Sequence, residues 1–66
     1  MRKSLKKIRI SKELLQKDIA EAIKISPAFY SLIESGERLP SMKTAKRIAS
    51  CLGLTLDEFY EAITTR

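Results

Sequence analysis

Apolar residues recur along this chain at intervals of three and four, in five runs separated by four short breaks. Leu5 and Ile8, with Arg9 beside them, mark one side of a first helix running from Leu5 to about Lys12. Lys6, Lys7 and Glu13 would face solvent, and Ile10 lies off the stripe, as either a partly exposed residue or a second contact surface. Leu14 and Leu15 form an apolar junction expected to pack under a second helix that begins near Gln16. Ile19, Ala20 and Ile23 share the inner face of that helix, while Lys17, Asp18, Glu21 and Lys24 cover the outer one. Its start looks poorly capped, because Leu15 stands where Ser, Thr or Asp would satisfy the free amides.

The third helix has a clear beginning. Ser26 is a good cap, and Pro27 at the first helical position has no amide to leave unsatisfied. Tyr30 and Ile33 are its core residues, Ile25 plugs the corner before it, and Gly36 supplies a left-handed end after Ser35. Glu37 to Pro40 reads as a turn, since Pro40 biases Leu39 away from helix. Ser41 then caps a fourth helix, Met42 to Leu52, striped by Ala45, Ile48, Ala49 and Leu52, with Lys43, Lys46 and Arg47 mostly outward. Gly53 ends it, Leu54 packs inward, and Thr55-Leu56-Asp57-Glu58 is a capping box for a last helix. The expectation is one all-α domain over residues 1–66, with 1–3 a basic arm and 55–66 a C-terminal helix and tail used in dimerisation.

Size sharpens that last point. A chain of 66 residues hides only about 60% of the surface its unfolded form exposes, so self-association is expected. Leu56, Phe59, Tyr60 and Ile63, joined by Leu52, exceed what one flank of a tiny helix needs, and they are the candidate dimer interface. Leu56 and Phe59 are the ones expected to close the domain instead. A single cysteine, Cys51, excludes an internal disulfide, and the absence of histidine removes the usual metal and acid-base chemistry of small sites. A reducing, cytosolic setting fits best, with neither a membrane span nor a signal peptide in view.

The net charge of +5 is unevenly placed. Arg2, Lys3, Lys6, Lys7, Arg9, Lys12, Lys17 and Lys24 dominate the first third, whereas Asp57, Glu58 and Glu61 make the last helix acidic. A basic half suggests a polyanion such as nucleic acid, against the plainer reading of a solubilising surface. Enzyme chemistry is the weakest reading, because Ser31, Tyr30 and Cys51 have no visible activating partner. Cys51 reads as a small core or interface residue.

Taken together, Arg9, Gln16, Ile19-Ala20, Ile25-Ser26, Ser31, Ile33-Glu34, Gly36, Pro40-Ser41, Ile48-Ala49, Leu52-Gly53, Leu54, Leu56-Asp57-Glu58 and Phe59 resemble the phage repressor and Cro-type helix-turn-helix domains. The likeness runs from about Leu5 to Tyr60 without a gap. It implies a compact five-helix repressor-like fold with a central helix-turn-helix. In it, Gln16 to Ile23 is the positioning helix, and Pro27 to Ser35 is the recognition helix that enters the major groove of double-stranded DNA. It further implies an ion pair between Arg9 and Glu34, and phosphate contacts from Gln16, Ser26, Arg38 and Lys43, with Lys24 an additional one.

Two departures stand out. The family usually has Gly where Glu13 stands and a small polar cap where Leu15 stands, so the first corner is expected to be strained or rearranged. The outward residues of the recognition helix are Pro27, Ala28, Ser31 and Leu32, with Phe29 beside them, and none makes a bidentate bond to guanine or adenine. Ala28, Phe29 or Leu32 would then touch thymine methyl groups while Ser31 gives one hydrogen bond, or Phe29 and Leu32 would dock a protein partner or antagonist. Phe29 packing back onto the second helix is the plain alternative.

The function this implies is a sequence-specific DNA-binding transcriptional regulator. It would be a small homodimeric bacterial or phage repressor on an inverted repeat, cytoplasmic and nucleoid-associated when bound, with no cofactor and no attached ligand domain. The rival is a protein-interaction module that kept the fold and lost the DNA readout.

Overall fold

The computed structural model describes residues 4–64, so the basic arm at 1–3 and the last two residues of the tail lie outside the described residues. The chain folds as α1 (Leu5–Ser11), α2 (Gln16–Ile23), α3 (Pro27–Ser35), α4 (Met42–Leu52) and α5 (Leu56–Thr64). Among the described residues there is no strand. Each helix starts on a residue that accepts or redirects an amide. Ser4, Ser26 and Ser41 cap α1, α3 and α4 by accepting the amides of Lys7, Phe29 and Thr44. At α5 the Thr55 hydroxyl accepts the Glu58 amide while the Glu58 carboxylate accepts that of Thr55, a reciprocal box.

The α2 start is better supported than its sequence suggests. Leu15 has no capping group of its own, but Asp18 reaches back and accepts the Leu15 amide at 2.8 Å. Held extended at this corner, Leu15 is 58% exposed and does not pack under α2. Leu14 takes that role alone, half-buried against the core.

The first four helices end alike. Glu13, Lys24, Gly36 and Gly53 each adopt a left-handed backbone, with φ of 57°, 60°, 85° and 71°. In each case the next amide turns back to a carbonyl of the last turn: Leu14 to Arg9, Ile25 to Ala20, Glu37 to Leu32 and Leu54 to Ala49. Glycine meets that demand at two corners only. Glu13 and Lys24 bear a side chain in a region that costs an L-residue about 1–2 kcal/mol, so the first corner keeps its expected geometry and carries the strain.

One core holds the helices together. Leu5, Ile19, Ala20, Ile23, Tyr30, Ile33, Ala45, Ile48, Ala49, Leu52, Phe59, Ala62 and Ile63 are all buried. α2 packs against α3 and α4, α4 against α5, and α5 reaches back to α1 and α3. Closing a core of this size consumes most of the apolar face of α5. Leu52, Phe59 and Ile63 are 1%, 0% and 6% exposed in the monomer, which corrects their assignment to a dimer surface: they have almost no area left to give a partner. Leu56 and Tyr60 stay half-buried at the core's edge. Cys51 is solvent-exposed, not a core residue.

Candidate nucleic-acid interface

The helix-turn-helix is built from α2, the turn at Lys24–Ser26, and α3. Tyr30 and Ile33, both fully buried, fix the inner side of α3. Phe29 also turns inward and is half-buried against the core. This matches the plain alternative for Phe29 and leaves Leu32 as the larger apolar side chain on the outward face. What α3 offers to solvent is Pro27, Ala28 and Ser35, all exposed, and Ser31 and Leu32, both half-buried. Residues 28, 31, 32 and 35 fall on one face at helical spacing. Ser35 escaped the sequence reading, although its position four residues after Ser31 was the signal for it.

The rear of α3 is clamped by charge. Arg9 of α1 forks onto Glu34, with Nε 2.9 Å from Oε2 and Nη2 3.1 Å from Oε1. Its remaining Nη1 donates to the Leu14 carbonyl at 2.7 Å. Gln16 of α2 donates from Nε2 to Glu34 Oε1 at 3.2 Å. The Arg9–Glu34 pair therefore joins α1, the α1–α2 corner, α2 and the end of α3. The Arg9 and Glu34 side chains are only 8% and 4% exposed, a placement tolerable because each charge has its partner.

Burial pushes the Glu34 carboxyl up, but the hydrogen bonds from Arg9 and Gln16 and the Arg9 charge outweigh it and hold the group below its ordinary value. The bond to Glu34 likewise raises Arg9. Tyr30 lies alongside, its buried hydroxyl interacting with the same Glu34 carboxylate and helping to hold it ionised. Burial first, and then the Glu34 charge, push that phenol far above its usual range. Gln16 thus gives one N–H of its half-buried amide to Glu34, which leaves the second N–H for the phosphate contact the resemblance implies.

The other proposed phosphate ligands are exposed. Ser26 accepts the Phe29 amide at 3.0 Å and keeps its own proton to donate. Arg38 has an exposed side chain on an anchored backbone, since its amide bonds the Leu32 carbonyl at 3.2 Å at the end of α3. Lys43, also exposed, sits in the first turn of α4, where free amides and the helix dipole favour an anion. Lys24 is exposed at the turn itself, its left-handed backbone leaving the side chain in solvent. A recess lined by Ala22, Ile23, Lys24, Arg47, Ser50 and Cys51 lies between the end of α2 and α4. Arg47 closes one side of it by donating to the Ile23 carbonyl at 3.4 Å.

Among the described residues no group of three or more Cys, Asp or Glu could hold a metal ion, and no helix is long and apolar enough to cross a membrane. α2 and α3 thus form a helix-turn-helix whose outward α3 face is free of charge and flanked by exposed cations. The chain belongs to the helix-turn-helix family, whose model matches residues 5–59.

Its relatives agree. It is 41% identical over 63 residues to a Bacillus subtilis (strain 168) protein named as the uncharacterized HTH-type transcriptional regulator YqaF, covering 96% of this chain and 83% of that one. It is 38% identical over 60 residues to control protein C.MunI of a Mycoplasma species, covering 89% and 81%. With the ImmF control region 10 kDa protein of Bacillus phage phi105 it shares 42% over 53 residues, 80% of this chain and 59% of the phage protein. No solved structure gives a significant match. The chain is a transcriptional regulator with a helix-turn-helix DNA-binding domain, and not an enzyme.

Proposed function

We propose that the protein is a homodimeric repressor that binds an inverted-repeat operator, placing one α3 from each subunit in successive major grooves about 34 Å apart. The observation that carries this reading is the α3 face itself. Its inner side is fixed by Tyr30, Ile33 and the Glu34 clamp, while its outer side meets solvent without a charge. Arg38, Lys43, Lys24 and the Ser26 hydroxyl supply phosphate contacts that set the register, and α3 reads the bases. The control protein and the transcriptional regulator among the relatives support a role in regulating expression.

Dimerisation uses the edge of α5 that the core leaves over, Leu56 and Tyr60. The protein works in the cytoplasm, on the nucleoid when bound, and occupancy blocks polymerase. Selection of duplexes from a random library, followed by titration against scrambled DNA at about 150 mM salt, tests the reading. The expected result is an inverted repeat bound at least about a thousandfold more tightly than scrambled sequence. Uniform weak binding would overturn it.

A further inference from the structure

Gln16, Glu34 and Ser35, three polar side chains near the outward face of α3 with the chemistry to read a base edge, are already engaged within the protein. Gln16, whose amide would pair with adenine, donates to Glu34. Glu34, whose carboxylate would accept from cytosine, is held by both arms of Arg9 and is 4% exposed. Ser35 donates its hydroxyl proton to the Leu32 carbonyl at 3.0 Å. Ser31, half-buried in a shallow recess with Lys6, Gln16, Glu34 and Ser35, keeps a hydroxyl that serves any base as donor or acceptor. What remains on the strip is aliphatic: the Ala28 methyl and the Leu32 side chain.

We propose that α3 reads thymine methyl groups through Ala28 and Leu32, so that T·A pairs, rather than guanines, specify each half-site. The inference rests on α3 entering the major groove. There the thymine C5-methyl is the apolar feature of the base edges, and an aliphatic side chain gains from it by excluding water. Ala28 and Leu32 are four residues apart, about 6 Å along the helix axis, which matches bases one to two steps apart at about 3.4 Å each. The flanking cations Lys24, Arg38 and Lys43 hold the strip against the groove through phosphates, and guanine contact by Lys6, the exposed cation of the Ser31 recess, is the competing outcome that 7-deazaguanine reads.

The test uses the duplex selected for the wild-type protein, resynthesised with deoxyuridine in place of each thymidine in turn, which deletes one methyl group and leaves base pairing unchanged. At one or two positions per half-site the affinity should fall about fourfold, the value for one buried methyl-sized group. Leu32→Ala and Ala28→Gly should each abolish the thymine preference at one of those positions. Ala28→Ser, which is milder on the helix, should reduce it. Binding unmoved by uracil at every position, or weakened instead by 7-deazaguanine, would overturn the inference while leaving the groove placement intact. Failure to select any preferred duplex would overturn both.

Discussion

Glu34 sits in a nearly dry pocket with three donors on two oxygens, and its energetic role follows from that environment. Glu34→Ala leaves Arg9 desolvated and unpaired, and should cost about 3 kcal/mol in urea unfolding, a large share of the stability available to so small a domain. The pH dependence has a definite sign. The folded carboxyl binds its proton less readily than an unfolded one, so its contribution is complete above about pH 4.3 and is lost as pH falls through the lower, folded value. Unfolding midpoints at pH 7 and 3 should therefore differ more in the wild type than in Glu34→Gln. Glu13→Gly relieves a left-handed backbone at an exposed corner. Its net gain of about 0.5 kcal/mol after the unfolded-chain entropy of glycine should raise Tm by about 2–4 °C.

At the level of the helices, caps and periodicity were legible because each is a local rule. Ser26-Pro27, Ser41, Gly36, Gly53 and the Thr55–Glu58 box stand where the structure uses them. What stayed hidden depended on partners distant in sequence. Nothing within a turn of Gln16 announces that its amide belongs to Glu34, eighteen positions away. Nor does local spacing tell which residues of α5 close the core, because that depends on how α1, α3 and α4 fill the space around it. The α2 cap is hidden for a smaller reason: Leu15 at the capping position has no acceptor, and Asp18, three residues on, supplies it. Asp18→Ala should accordingly cost about 1 kcal/mol despite lying at the surface of α2, measured as a shift in the urea midpoint.

Across the whole molecule, charge and assembly set the behaviour. If Arg38 and Lys43 each neutralise a phosphate, replacing either with Ala should weaken binding to specific and scrambled duplexes alike, and lower the slope of log affinity against log salt by about 1. Tyr60→Asp places a charge on the α5 edge that the core leaves half-open. It should convert dimer to monomer in sedimentation at about 100 μM, while the helical circular dichroism stays unchanged. The separation between the clamped rear of α3 and its outward strip has a further consequence for how such a chain changes over time. Positions 28, 31, 32 and 35 contribute none of the fully buried side chains, so new residues there alter the target while the scaffold persists. A handful of codons can thus drift to a new operator with every intermediate still folded, and a designer can rewrite the same four positions with the same freedom.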